Sequence, residues 1–201
     1  MKTKLFSFLV LGLSLFLVSC ETLVNKPVDP LVNKLVEPLK KEVFSGYVQK
    51  GPYLNGSSVT ISELDTSLNQ TGRSYSTTVA DNSGSFEQKK IELVSNYVQL
   101  KADGYYFNEV TGESSSGQLT LYALADVSVV NSANINVLTH LEKSRVEYLV
   151  QQKGLAFIAA KKQAQQEVLK IFNLSLPADS TSESLNLSRT GESNAILLAV
   201  S

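Results

Sequence analysis

Residues 44–64 read FSGYVQKGPYLNGSSVTISEL, and the fold class turns on this stretch. Two runs, Phe44 to Gln49 and Ser57 to Leu64, alternate apolar and polar side chains. That is the period-two pattern of a strand with one face buried. Gly51-Pro52 and Asn55-Gly56 lie between them, and both dipeptides favour turns. Within the second run the alternation predicts Val59, Ile61 and Leu64 inward, with Thr60 and Ser62 outward.

The same texture continues downstream. RSYSTTVA (73–80), the turn DNSG (81–84), SFEQKKIEL (85–93), NYVQLKA (96–102), YYFNEV (105–110) and QLTLYAL (118–124) follow in order. Asp103-Gly104 stands before YYFNEV and reads as a hairpin signal. About seven short strands at this spacing predict an antiparallel β-sandwich over residues 43–126.

The turns carry a family resemblance. Gly46-Tyr47-Val48, Gly56-Ser57-Ser58-Val59, Asp81-Asn82-Ser83-Gly84-Ser85-Phe86 and Gly104-Tyr105 resemble the motifs of transthyretin-like or carboxypeptidase-regulatory-like modules. The resemblance covers about residues 43 to 124. It implies a sandwich and brings no chemistry, because those motifs describe backbone turns.

Near residue 131 the period changes. Val137, Leu138, Leu141, Tyr148 and Leu149 fall on one helical stripe, with Glu142, Lys143 and Glu147 opposite. Lys143 and Glu147 are four apart and predict a surface ion pair. Gly154 is placed as a left-handed cap. A second helix is predicted over 155–172, with Phe157, Ala160, Ala164, Val168 and Ile171 inward. Residues 177–188, PADSTSESLNLS, read as a polar connector. A third helix starts near Ser193 or Asn194. Residues 127–201 are thus a helical segment, and the fold class is α+β. The chain stops inside the apolar run SNAILLAVS, so either this segment docks on the body or the sequence is a fragment of something longer, the second being the expectation.

Upstream of the sandwich the sequence is an address. Lys2 and Lys4 precede an apolar stretch of 14 residues from Leu5 to Val18. That is short of the roughly 20 residues a membrane span needs and fits a signal-peptide core. It ends in Leu17-Val18-Ser19-Cys20, which resembles the lipobox of bacterial lipoproteins. The resemblance implies cleavage between Ser19 and Cys20 and a diacylglyceryl group on the Cys20 thiol. Each buried methylene contributes about 0.8 kcal/mol, so two or three acyl chains hold a protein on a bilayer where one does so only marginally. Residues 1–19 are then a signal peptide. Residues 20–42 are a tether built on an eight-residue repeat, LVNKPVDP (23–30) and LVNKLVEP (31–38), whose prolines disfavour a helix.

Composition narrows the function classes. The 201 residues are 43% hydrophobic and 18% charged, with a formal net charge of −1 and no basic block, so no nucleic-acid partner is expected. One cysteine and one histidine exclude a disulfide framework and a Cys/His zinc site. His140 lies on the first helix with no nucleophile elbow in the sequence, and reads as a helix-surface or half-buried residue. Asp126, Glu142 and Glu147 form no recognisable catalytic carboxylate pair. Asp65, Asp81 and Asp103 read as turn residues without EF-hand spacing. No cofactor, metal or catalytic residue is expected.

The aromatic cluster Tyr105-Tyr106-Phe107 is the binding candidate. In a strand Tyr106 points away from its two neighbours. Exposed tyrosines stack on sugar rings, and Tyr47, Tyr53 and Tyr97 are candidates to lie near them. INVLTHLEKSRVEYLV (135–150) and AKKQAQQEVL (160–169), downstream of a GYVQKGP module, resemble a group of uncharacterised lipoproteins from Bacteroidetes-like bacteria. The expected function is a non-enzymatic interaction or structural module, anchored through Cys20 to the outer membrane. A glycan- or peptide-binding lipoprotein for nutrient capture is one alternative. The accessory part of a longer envelope hydrolase is another.

Overall fold

The computed structural model describes residues 37–201. The expected signal peptide, the cleavage site at Ser19 and Cys20, the lipidation site and the tether up to residue 36 lie outside the described residues. Strands β1 (Leu39–Gln49), β2 (Ser58–Leu64), β3 (Gln70–Thr78), β4 (Ser85–Leu93), β5 (Tyr97–Gly104), β6 (Phe107–Asn108), β7 (Glu113–Ser114), β8 (Leu119–Asp126) and β9 (Ile135–Asn136) are followed by helices α1 (Val137–Lys153), α2 (Phe157–Ile171) and α3 (Glu192–Val200). The fold is α+β, a β-sandwich followed by helices.

One sheet has the order β4-β1-β9 and the other β3-β2-β5-β8. The second is antiparallel throughout. The first joins β1 and β4 antiparallel and β1 and β9 parallel. Phe44, Val48, Phe86 and Ile135 from one sheet meet Val59, Ile61, Leu100 and Ala123 from the other in a single buried core. The inward face predicted for β2 holds at Val59 and Ile61. Leu64 is corrected: three residues on from Ile61 it falls by plain alternation on the opposite face, where it joins the helices, with the β2–β5 register unbroken.

Edge strands β3 and β4 are stitched together by side chains rather than by a ladder. Tyr75 Oη donates to Glu92 O (2.7 Å) and Thr77 Oγ1 to Glu87 O (2.9 Å). Exposed backbone acceptors on β4 are thereby occupied, which blunts an edge open to intermolecular pairing.

β8 is buried on both faces, which explains its nearly continuous apolar run LTLYALA. Leu121, Ala123 and Ala125 face the sandwich, while Leu124 faces Val146, Leu149 and Phe157 of the helices. Leu138, Val168, Leu169, Leu185 and Leu197 form a third cluster among the helices. α1 starts with a reciprocal cap: Asn136 Oδ1 accepts from Thr139 N (3.0 Å), and Asn136 N donates to Thr139 Oγ1 (2.9 Å). Gly154 ends it at φ 66° as the sequence predicts, and Lys143 lies 2.6 Å from Glu147.

Several expectations are corrected. β1 begins at Leu39, inside the expected tether 20–42, because Leu39 to Lys41 find partners in Leu93 to Ile91 of β4. Asp103-Gly104 is no hairpin turn. Both residues continue β5, opposite Thr120 and Leu119 of β8, and 105–118 is an excursion carrying the small β6–β7 ribbon. α1 is rotated from the expected stripe: Leu141 and Tyr148 are exposed while Glu142 is buried. Ile171 is 79% exposed, since α2 outruns its packing surface. The supposed polar connector 177–188 is built into the body, with Ser182, Leu185 and Asn186 buried.

Candidate functional site

A cleft of about 760 Å³ opens where β1, the 125–134 segment, α2 and the 178–189 segment meet. Sequence alternation places Tyr47 on the cleft side of β1, and Tyr47 N donates to Asn134 Oδ1 (2.9 Å). Helical spacing places Phe157, Lys161 and Gln165 on the α2 side.

The floor of this region is a buried ionic cluster. Lys161 Nζ lies 3.1 Å from Glu142 Oε2 of α1 and 3.0 Å from Glu183 Oε2. Glu183 thus faces the Lys161 ammonium from the connector as an ion pair. Ser182 Oγ donates a hydrogen bond to Glu142 Oε1. Burial pushes the Glu142 carboxyl above its ordinary value, against the opposing pull of Lys161 and Ser182. Burial alone would lower the Lys161 ammonium, but Glu183 and Glu142 outweigh it and hold that group above its ordinary value. The cluster brings one ammonium and two carboxyl groups together, and it pins the connector to both long helices.

Buried amides extend the network. Asn136 Nδ2 donates to Ser182 O (2.7 Å) and Asn134 Nδ2 to Leu185 O (2.8 Å). Gln49 Nε2 donates to Asn186 Oδ1 (3.1 Å), and Leu187 N donates back to Gln49 Oε1 (2.8 Å). Every one of these bonds fixes the 180–187 chain, so the cleft wall it forms is held in one place.

The sequence candidates fall elsewhere. Tyr105 is 44% exposed and Phe107 38% exposed, whereas Tyr106 turns inward against the core and stacks on Tyr53 at 6.2 Å. The opposite pointing read from strand alternation is therefore present, although 105–106 are not themselves within a regular strand. Of the tyrosines expected nearby, Tyr53 is there. Tyr97 instead stacks on Phe157 at 4.6 Å, and Tyr47 lines the cleft.

His140 is half-buried and stacks on Tyr122 at 5.8 Å, with burial and Lys143 lowering its pKa. Asp126 accepts from Ser128 N (2.9 Å) and Ser128 Oγ (2.6 Å). Glu142 and Glu147 pair with separate lysines, Lys161 and Lys143. Asp65 and Asp81 are turn residues as expected, bonding Ser67 N and Asn69 N, and Ser83 N and Ser85 N respectively. Asp103 is not, because it lies within β5. Among the described residues, no group of three or more His, Cys, Asp or Glu side chains is placed to hold a metal ion, and no helix is long and apolar enough to cross a membrane.

The chain matches no family model, no curated protein and no solved structure. The reading of the site therefore rests on its own chemistry. The ionic cluster was missed in the sequence, yet a signal was present. Lys161 shares the inner stripe with Phe157, Ala164 and Val168, and Glu142 shares one with Leu138, Val146 and Leu149.

Proposed function

We propose that this chain is a lipid-anchored cell-envelope protein of the outer membrane, whose folded body works as a non-enzymatic interaction module. The observation that carries this reading is Leu17-Val18-Ser19-Cys20 directly after the apolar stretch Leu5–Val18, with Cys20 as the only thiol in the chain. A thiol placed at the end of a signal-peptide core has one well-matched use, attachment of acyl chains. Two or more chains then give durable membrane residence. The transthyretin-like turn motifs agree with a sandwich used as a binding or structural module, and no catalytic residue is assigned. The test is the intact mass of the mature amino-terminal peptide: acyl chains on Cys20 support the reading, and a full-length chain with a free thiol overturns it.

A second reading has its own observation. Tyr105 and Phe107 present aromatic surface on the 105–118 excursion. Apolar rings held on a short ribbon suit stacking against a sugar or a peptide. Saturable binding to a polysaccharide panel, lost in Tyr105→Ala/Phe107→Ala with the fold intact, would establish it.

A further inference from the structure

We infer that the cleft between α2 and the 125–134 segment binds a small amphiphilic anion, a single apolar chain ending in a carboxylate-like head. Its volume, about 760 Å³, lies within the range of small-molecule sites. Its far wall is preformed, because buried amides and the Lys161 cluster hold residues 180–187. A rigid wall lowers the ordering cost of binding.

The apolar half of the ligand follows from the mouth. Val129 is 87% exposed, Ile158 65% and Val130 38%, and all three line the cleft above the buried ring of Phe157. Single exposed apolar side chains need no explanation, but three converging on one concavity offer a ligand more contact than solvent does.

The charge of the head follows from which lining groups are already engaged. Of the two lining carboxylates, Glu183 faces Lys161, while Asp126 accepts two hydrogen bonds from Ser128 and meets no cation. Of the lining cations, Lys161 is held between two carboxylates. Among the described residues, the side chains of Lys162 and Arg189 make no ion pair or hydrogen bond, although both line the cleft. Three lining cations against two lining carboxylates leave one positive charge in excess, and Lys162 and Arg189, being without partners, favour an anionic head over an ammonium. The inference goes beyond the envelope reading and holds whether or not Cys20 is acylated.

The test uses the full chain with Cys20→Ala, so that no acyl chain of its own competes. Equilibrium dialysis is run with monomeric dodecanoate, dodecyltrimethylammonium and a maltooligosaccharide. Dodecanoate saturates one site per chain and the ammonium binds more weakly. Lys162→Glu/Arg189→Glu weakens dodecanoate about tenfold, the size expected for reversing two exposed charges. Ile158→Asp weakens it as well, and circular dichroism shows all variants folded. The inference is overturned if dodecanoate shows no saturable binding, or if the ammonium binds equally well. It also falls if the variants leave affinity unchanged, if the saccharide alone saturates, or if binding occurs only to phosphatidylglycerol vesicles and not to the monomer. Failure here leaves the Cys20 mass test untouched, so the two readings fail separately.

Discussion

Lys161 of α2 and Glu142 of α1 meet 3.1 Å apart where both side chains are almost entirely withdrawn from water, 10% and 1% exposed. Glu183 completes the arrangement from the connector. A buried ion pair contributes little net stability, since desolvation offsets the attraction. Breaking one costs heavily because a charge is left alone.

Lys161→Met should therefore destabilise the protein by about 3–5 kcal/mol, because it strands two carboxylates. The double variant Lys161→Met/Glu142→Leu should recover a good part of that loss. Urea unfolding of Lys161→Met, Glu142→Leu and the double variant checks the coupling. A double variant as unstable as the sum of its singles would show that the pair acts through packing alone.

Asp81 gives a pH prediction. Ser83 and Ser85 donate to its carboxylate through hydroxyls and backbone amides and hold its pKa at about 2, below the ordinary 3.8. The lowered value means the folded protein binds this proton less tightly than the unfolded chain. The stabilisation is therefore present above about pH 4 and is lost as pH falls towards 2. In Asp81→Asn this share disappears, so the stability difference between wild type and variant should shrink between pH 5 and pH 2, the acid limb set by that carboxylate pKa of about 2. A pH-independent difference would sink the assignment.

Two glycines with left-handed backbones separate strain from collision. Gly154 has φ 66° and open space where a Cβ would stand, so Gly154→Ala should cost about 1–2 kcal/mol from backbone conformation alone. Gly84 has φ 83°, and a Cβ there would come within 2.3 Å of Val48 O, whose strand also receives the Gly84 carbonyl at Val48 N. Gly84→Ala should cost clearly more than Gly154→Ala in thermal unfolding, because backbone on both sides must move.

The sandwich was legible because its turns and alternation are local. Asp81 to Phe86 specify a turn and the start of β4 with no help from the rest of the chain. What could not be read was set by contacts distant in sequence. Asp103-Gly104 has hairpin chemistry, but pairing with Leu119 and Thr120 of β8 overrides it. Counting apolar residues on α1 favoured the stripe through Leu141 and Tyr148. The helix instead turns Glu142 inward, because Lys161 from the next helix neutralises it. The cleft likewise needs Tyr47, Ile158 and Arg189, which no local pattern joins. A charged residue in phase with an apolar stripe, on each of two neighbouring helices, is the signal that would have found the cluster.

The aromatic cluster of the 105–118 excursion yields the last prediction. Tyr106 packs on the core, stacks on Tyr53 and lies beneath Lys50 Nζ, 5.6 Å from its ring centre. Tyr53 is fully buried, its hydroxyl donates to Leu119 O (2.9 Å), and burial drives its pKa well above the ordinary value. Tyr106→Ala uncovers that group and removes a stacked partner, so a loss of about 1–3 kcal/mol is expected. Tyr105→Ala and Phe107→Ala, at residues 44% and 38% exposed, remove less buried surface and should each cost less than Tyr106→Ala. Chemical denaturation of the three variants checks the order. It also decides which variants test binding: a polysaccharide signal lost only in Tyr106→Ala would report a disturbed fold, whereas one lost in Tyr105→Ala or Phe107→Ala at unchanged stability would report a contact.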